Sequence, residues 1–286
     1  MRVLSPRHTG FCPGIKAAEG RIFEVKEHIA EPIYVYGHLI HNNAYIEHLA
    51  AQSIKTLRSI ESAPLGSSVA IRTHGVSKEL ERELRRRFRV TDLTCAKVKR
   101  LQLLIEEHAG AGGFTVITGN KSHPEVEGLR SYAEDHVVIE TEDDLQRCDP
   151  HLWRCRNEEI LVVSQTTGGR RLFEATVKAL NARAAGFHVE CCDSICPITE
   201  RREKESLEIQ RRVDVTLVVG DTISSNAKKL YAALKSHSPE TYFVRDLDEV
   251  KCLELSPRRY RSAQVVLSSS TPSFIETEIV SYLATL

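Results

Sequence analysis

The chain has 286 residues, 41% of them hydrophobic and 27% charged, and its 39 basic and 39 acidic side chains cancel to a formal net charge of zero. That length holds one large domain or two to three smaller ones, each with its own core. The balanced charge removes any global electrostatic case for a nucleic-acid or membrane-surface partner. No stretch approaches the ~18 apolar residues of a membrane span, and MRVLSPRHTG holds no apolar leader core, so the chain reads as cytoplasmic, or as mature after import.

In chain order, the first signal is TGFCPGIKAAEG (9–20), which puts Cys12 at the mouth of a predicted helix, with Pro13 and Gly14 shaping a tight loop. A thiol there is favoured as thiolate by the helix dipole and the unpaired N–H groups of the first turn. PIYVYG (32–37) is a predicted strand, and HLIHNNAYIEHLA after it carries His41 in a loop before a helix. SVAIRT (68–73) is the next strand and runs into THGVS with His74. The basic run RELRRRFR (82–89) follows the acidic VSKELERE and reads as a solvated helix face. DLTC then places Cys95 before a helical segment, and FTVITG (114–119) leads into NKSHPEVEG with His123 and Glu125. EILVVS (159–164) ends in QTT with Thr166, and DSIC places Cys196 before a third long helix. VTLVVG (215–220) leads to Ser224, Ser225 and Asn226, and AQVVLSS to Ser270.

Strands alternating with helices indicate an α/β fold with mainly parallel sheets, in which ligand sites gather at the carboxyl ends of strands. The loops also repeat. From each cysteine to the first polar loop, at His41, His123 and Ser224, the spacing is 29, 28 and 28 residues. The second step, to His74, Thr166 and Ser270, is 33, 43 and 46 residues. The chain therefore parses as three similar α/β units, 1–95, 96–192 and 193–286, arranged with pseudo-threefold symmetry so that three strand-end faces meet at a common centre.

Of the eight cysteines, none forms a C-x-x-C pair, and disulfides are disfavoured in a chain without a leader. Three thiolates at one centre suit zinc, with a fourth ligand from His41, His74 or His123. They equally suit a cubane iron–sulfur cluster that leaves one iron without a protein ligand. The surrounding His, Ser and Asn side chains donate to anions, a phosphate or diphosphate above all. Cys191 and Cys192, in VECC, read as packing or weakly reactive thiols. Single helix-start residues have simpler uses: Glu125 suits the dipole of a helix opened by Pro124, and Ser224 suits an N-cap.

The ordered blocks GFCPGI, HNNAYIEHL, THGVS, DLTC, SHPEVEG, QTT, SSN and the S-x-P loop span nearly the whole chain. Together they resemble the 4-hydroxy-3-methylbut-2-enyl diphosphate reductase family. The resemblance implies three α/β units around a central 4Fe–4S cluster, ligated by Cys12, Cys95 and Cys196 and leaving one iron open to the substrate's C4 oxygen. It implies reductive loss of an allylic hydroxyl: two electrons, delivered one at a time, and a proton break the C–O bond and release water. Protonation of the allyl species at either of two carbons then yields isopentenyl and dimethylallyl diphosphate, in the methylerythritol phosphate route to isoprenoids. It assigns Glu125 as proton donor, with a pKa raised by nearby negative charge, and Thr166 as the hydroxyl beside the substrate oxygen. His41, His74, His123, Ser224, Ser225, Asn226 and Ser270 fall in the diphosphate shell. No flavin or nicotinamide fingerprint is evident, so a ferredoxin, flavodoxin or similar carrier is the expected electron source.

The sequence departs from the family pattern at Asn120, in place of a second His, at Glu203, in place of a Gln, and at Ser268-Ser269-Ser270, where a glycine-containing loop is usual. Those departures keep open a paralogous iron–sulfur enzyme acting on a related phosphorylated alcohol. A zinc-stabilised phosphometabolite-binding protein is the alternative from another class.

Overall fold

The computed structural model describes residues 1–286. In chain order the elements are β1 (Arg2–Leu4), α1 (Pro13–Glu27), β2 (Ile33–Tyr36), α2 (Asn43–Ala51), β3 (Ile54–Leu57), β4 (Ser68–Ile71), α3 (Lys78–Arg87), β5 (Arg89–Asp92) and α4 (Ala96–Gly110). They continue with β6 (Phe114–Thr118), α5 (Pro124–Arg130), β7 (Asp135–Ile139), α6 (Glu142–Arg147), β8 (Glu159–Ser164), α7 (Arg170–Arg183) and β9 (His188–Cys191). The last are α8 (Pro197–Gln210), β10 (Val215–Val219), α9 (Ser225–Lys235), β11 (Thr241–Val244), α10 (Leu247–Cys252), β12 (Ser262–Leu267) and α11 (Ser273–Thr285). Every described strand pair is parallel and the strands alternate with helices, as an α/β fold requires. No helix is long and apolar enough to cross a membrane.

Two compact units form: residues 1–58 with 197–286, and residues 59–196. The first contains the parallel sheet β1-β12-β10-β11 and the parallel pair β2–β3. The second contains the parallel sheet β7-β6-β8-β9 and the parallel pair β4–β5. The N-terminal strand thus completes the sheet of the C-terminal segment, with Val3 opposite Ala263.

The strands legible in the sequence are those buried on both faces. In the first unit Leu217, Val219, Val265 and Leu267 pack with Ile275, Ile279 and Leu283 of α11, while Val218 and Val266 face Leu230 and Leu234 of α9. In the second, Val116 and Val162 pack with Phe173 and Leu180 of α7, while Ile117, Leu161 and Val163 meet Leu101 and Ile105 of α4 and Leu129 of α5. A strand covered on both sides needs an unbroken apolar run, and each such side chain contributes about 1.5–3 kcal/mol by leaving water. The edge strands β7, β9, β1 and β11 have one neighbour each, carry polar residues such as Asp135 and His188, and give no comparable signal.

The basic run forms the outer face of α3, with only Leu84 of the helix fully buried. Its arginines pair within the helix, Arg85 to Glu81 at 2.7 Å and Arg87 to Glu83 at 3.6 Å. Lys99 of α4 joins this helix to β5, contacting Glu81 at 2.8 Å and Asp92 at 3.0 Å. Burial pushes both carboxyls up, but hydrogen bonds from Lys99 and Arg85 to Glu81, and from Thr94 and Lys99 to Asp92, outweigh it and leave both below their usual range. A carboxyl lowered in the folded state binds fewer protons than it does unfolded, so its contribution is complete above the unfolded pKa and declines as pH falls. The urea midpoint should therefore drop on acidification from about pH 5 to about pH 2, and Lys99→Met should flatten that drop. Parallel acid profiles for the two proteins would refute this role of Lys99.

Candidate active site

Parallel pairing puts the carboxyl ends of a sheet's strands, and the loops that follow them, along one edge. In the second unit the loops after β6, β8 and β9 carry His123 with Glu125, Thr166 and Cys196, and those after β4 and β5 carry His74 and Cys95. In the first unit the loops after β10, β12 and β1 carry Ser224, Ser270 and Cys12, and His41 lies between β2 and α2.

The three cysteines share a local design. Cys12 and Cys95 are the N-cap residues of α1 and α4, and neither thiol caps its helix. Their carbonyls instead accept from Lys16 and Lys99 in the first turn. Cys196 directly precedes Pro197, the first residue of α8. Pro13 and Gly14 lie in the first turn of α1, and the tight turn before Cys12 is made by Gly10, whose φ of +66° disfavours any residue with a Cβ. Each cysteine loop hydrogen-bonds the polar loop lying before it in the sheet: Cys95 N donates to Thr73 O at 3.0 Å, Cys196 N to Thr166 O at 2.7 Å and Gly10 N to Leu267 O at 3.3 Å. The sequence repeat joins each cysteine to the loops that follow it. The hydrogen bonds join it to the loop of the neighbouring inner strand, because the cysteine emerges from an edge strand.

Glu125 and Thr166 form a buried, two-bond polar contact in the second unit. Glu125 is 1% exposed and Thr166 8%. Thr166 N donates to Glu125 Oε1 at 2.6 Å, and Thr166 Oγ1 donates to Glu125 Oε2 at 2.8 Å. His123 caps α5 by accepting the Glu125 N–H at Nδ1, 3.1 Å away, which leaves Nε2 as the proton-bearing nitrogen of its neutral ring. The rings of His74 and His123 meet edge to face with centroids 5.3 Å apart. Gly75, beside His74, has a φ of +74°, and a Cβ there would lie 2.7 Å from Gln102 Nε2.

In the first unit Ser224 caps α9, its Oγ accepting from Ala227 N at 3.3 Å, and Ser270 Oγ donates to the same oxygen at 3.0 Å. Ser225 is exposed, and the half-buried Asn226 has an Oδ1 with no hydrogen-bond partner. Asp221 Oδ2 accepts from Asn43 N at 2.8 Å, tying the loop of His41 to that of Ser224. The departures from the family pattern are accommodated locally. Asn120 Oδ1 closes a turn by accepting from Ser122 N and Oγ, and Glu203 lies in the outer groove of α8 with Lys204 and Arg211. Ser268, Ser269 and Ser270 are buried, and Ser268 Oγ bonds Thr271 Oγ1 at 2.9 Å.

Two buried polar residues escaped the sequence reading. Gln165 accepts from Asn120 N and donates to Thr167 Oγ1, bracing the two loops around Glu125. Arg202 sits in the buried row 202, 206, 210 of α8, and a charged residue in that row was the available signal. Cys191 is exposed and does not pack, whereas Cys192 packs against the α4 face of its sheet, where burial pushes its thiol up.

All eight cysteines are thiols. Three of them stand at helix N-termini, Cys12 and Cys95 with side chains unused for capping, a donor set that suits a thiolate-bound iron–sulfur group. Fold and loops together define a parallel α/β protein built to present thiols, imidazoles and hydroxyls at its strand ends. The chain belongs to the LytB protein family, whose profile matches residues 3–284, and that family is one of iron–sulfur enzymes. It is 30% identical to the 4-hydroxy-3-methylbut-2-enyl diphosphate reductase of Petrotoga mobilis, over 99% of this chain and 98% of that one. It is 31% identical to the enzyme of the same name from Alkaliphilus oremlandii, over 98% of each. A solved structure of (E)-4-hydroxy-3-methyl-but-2-enyl diphosphate reductase, the terminal enzyme of the non-mevalonate pathway, superposes with a TM-score of 0.76 at 26% identity over the whole of both chains. The reductase structure from Plasmodium falciparum shares the fold, with a TM-score of 0.85 at 22% identity over all of this chain and 87% of that one.

Replacing Thr166 by valine strips Glu125 Oε2 of a buried donor while keeping the backbone N–H on Oε1. We expect a loss of about 1–3 kcal/mol in urea unfolding, largely restored by Thr166→Ser. An unchanged stability in the valine variant would show that the hydroxyl is not bonded as described.

Proposed function

We propose that this chain is a 4-hydroxy-3-methylbut-2-enyl diphosphate reductase that converts its substrate to isopentenyl and dimethylallyl diphosphate. The observation that carries the reading beyond family membership is the buried Glu125–Thr166 pair in the strand-end loops of the second unit. Cys12, Cys95 and Cys196 are the residues that hold a 4Fe–4S cluster with one iron free of protein ligands. When bound, that cluster supplies the electrons and a Lewis-acidic iron. A one-electron carrier such as ferredoxin or flavodoxin would supply those electrons.

The chain's own residues do the rest. When Glu125 is protonated at Oε2, 2.8 Å from Thr166 Oγ1, the bond between them reverses and Oε2–H donates to Oγ1. Passing that proton to Thr166 Oγ1 frees the hydroxyl hydrogen to move onto the substrate's leaving oxygen, so the pair relays one proton without Thr166 changing its protonation state. With two electrons in, the C–O bond breaks, the oxygen leaves as water, and a second proton completes the product's C–H bond. The diphosphate is held by His41, His74, His123, Ser224, Ser225, Asn226 and Ser270. Their N–H and O–H groups donate to phosphate oxygens, and the N-terminus of α9 adds its dipole. His123 suits this role because capping at Nδ1 leaves Nε2–H to donate. The relatives' names and the residue types at each loop support the same assignment.

Purified without oxygen, the protein should be brown, with broad absorbance near ~400 nm and about four irons per chain. Glu125→Gln should keep that iron and bind substrate but lose at least about 100-fold in kcat, the lower end of general-acid contributions. A colourless protein with stoichiometric zinc would sink the cluster assignment, and wild-type turnover in the variant would refute the proton-donor role.

A further inference from the structure

We propose that Arg202 is a positioning residue that holds the Cys12 loop and the Ser268–Ser270 loop in a single register. It lies on α8, six residues beyond Cys196, and is only 3% exposed. A buried guanidinium persists only when its donors are met, and the fork of Arg202 meets three acceptors. Nε donates to His8 O, Nη2 to Gly10 O at 2.7 Å, and Nη1 to Ser269 Oγ. The two carbonyls stand two residues apart on the segment that ends at Cys12, so a rigid planar fork fixes their spacing as a single flexible ammonium does not.

Neighbouring contacts make this a clamp. Glu205, three residues further along α8, accepts from His8 N at 3.1 Å and pairs with His8 Nδ1 at 2.6 Å. On the opposite side Thr9 Oγ1 accepts from Leu267 N at 2.8 Å. The approach to Cys12 is therefore gripped between α8 and the end of β12. Through Ser269 the same guanidinium reaches the neighbour of Ser270, whose hydroxyl bonds Ser224. One side chain thus touches the loop of a proposed cluster ligand and the loop of a proposed diphosphate ligand. The roles of those loops rest on the proposed function, whereas the clamp itself can be tested without it.

The test uses the full-length metal-free chain and labels its thiols with iodoacetamide under native conditions, reading each site by peptide mass spectrometry. In Arg202→Met, Cys12 should label at least about tenfold faster, as local opening requires, while Cys95 changes by less than about twofold. In Arg202→Lys, which keeps charge and approximate length, Cys12 should still accelerate at least about threefold, because one ammonium cannot replace the fork. That second variant carries the test if the methionine protein does not fold. In the iron-loaded enzyme the lysine variant should raise KM for the diphosphate more than it lowers kcat, since the loosened serine loop binds less well. Equal acceleration of all three thiols, or none at Cys12, overturns the proposal. The expected labelling of the metal-free chain, together with an iron-loaded wild-type protein that does not turn over the diphosphate, would instead overturn the proposed function and leave the clamp standing.

Discussion

Parallel strand pairing is the constraint on which the rest depends. In a parallel sheet every strand ends on the same edge, so loops far apart in sequence are brought side by side. Two four-stranded sheets use this in the same way. β6, β8 and β9 deliver His123 with Glu125, Thr166 and Cys196, and β10, β12 and β1 deliver Ser224, Ser270 and Cys12. The chemistry differs between the two, carboxyl and imidazole in one and hydroxyls in the other, while the framework is the same. Doubly covered central strands supply the stability that lets these loops carry half-buried thiols and buried hydroxyls.

Within that framework the polar residues fall into those that act and those that hold. Glu125 and Thr166 form a two-bond pair in a buried setting, so a proton placed on Glu125 Oε2 has Thr166 Oγ1 beside it to move to. Gln165 and Asn120 brace the loops on either side of that pair. In the other unit Asp221 and Arg202 do the bracing, one tying the loop of His41 to that of Ser224, the other tying the loop of Cys12 to Ser269. The holding residues are charged or amide-bearing, and all but the exposed Asn120 are buried, because strand-end loops have few ladder hydrogen bonds of their own and must borrow partners from neighbouring elements.

The serine-rich loop satisfies its own side chains internally. Where a glycine is usual, this chain has Ser268 and Ser269, and their hydroxyls are turned inward to Thr271 and Arg202. The extra side chains add internal bonds and leave Ser270 on Ser224.

What the sequence determined by itself was the class of fold, the inner strands and the chemistry of the strand-end loops. Those features are written locally: runs of Val, Ile and Leu for β6, β8, β10 and β12, a cysteine before each of three helices, and polar residues at repeated intervals. The same local signals showed Glu125 and Thr166 as separate candidates 41 residues apart, without showing that they bond. Only the tertiary structure decided which loops share a hydrogen bond, that β1 joins β12, and that Arg202 is buried. Edge strands such as β7 and β9 were hidden for the same reason: half-exposed and polar, they are defined by the neighbour they pair with rather than by their own composition.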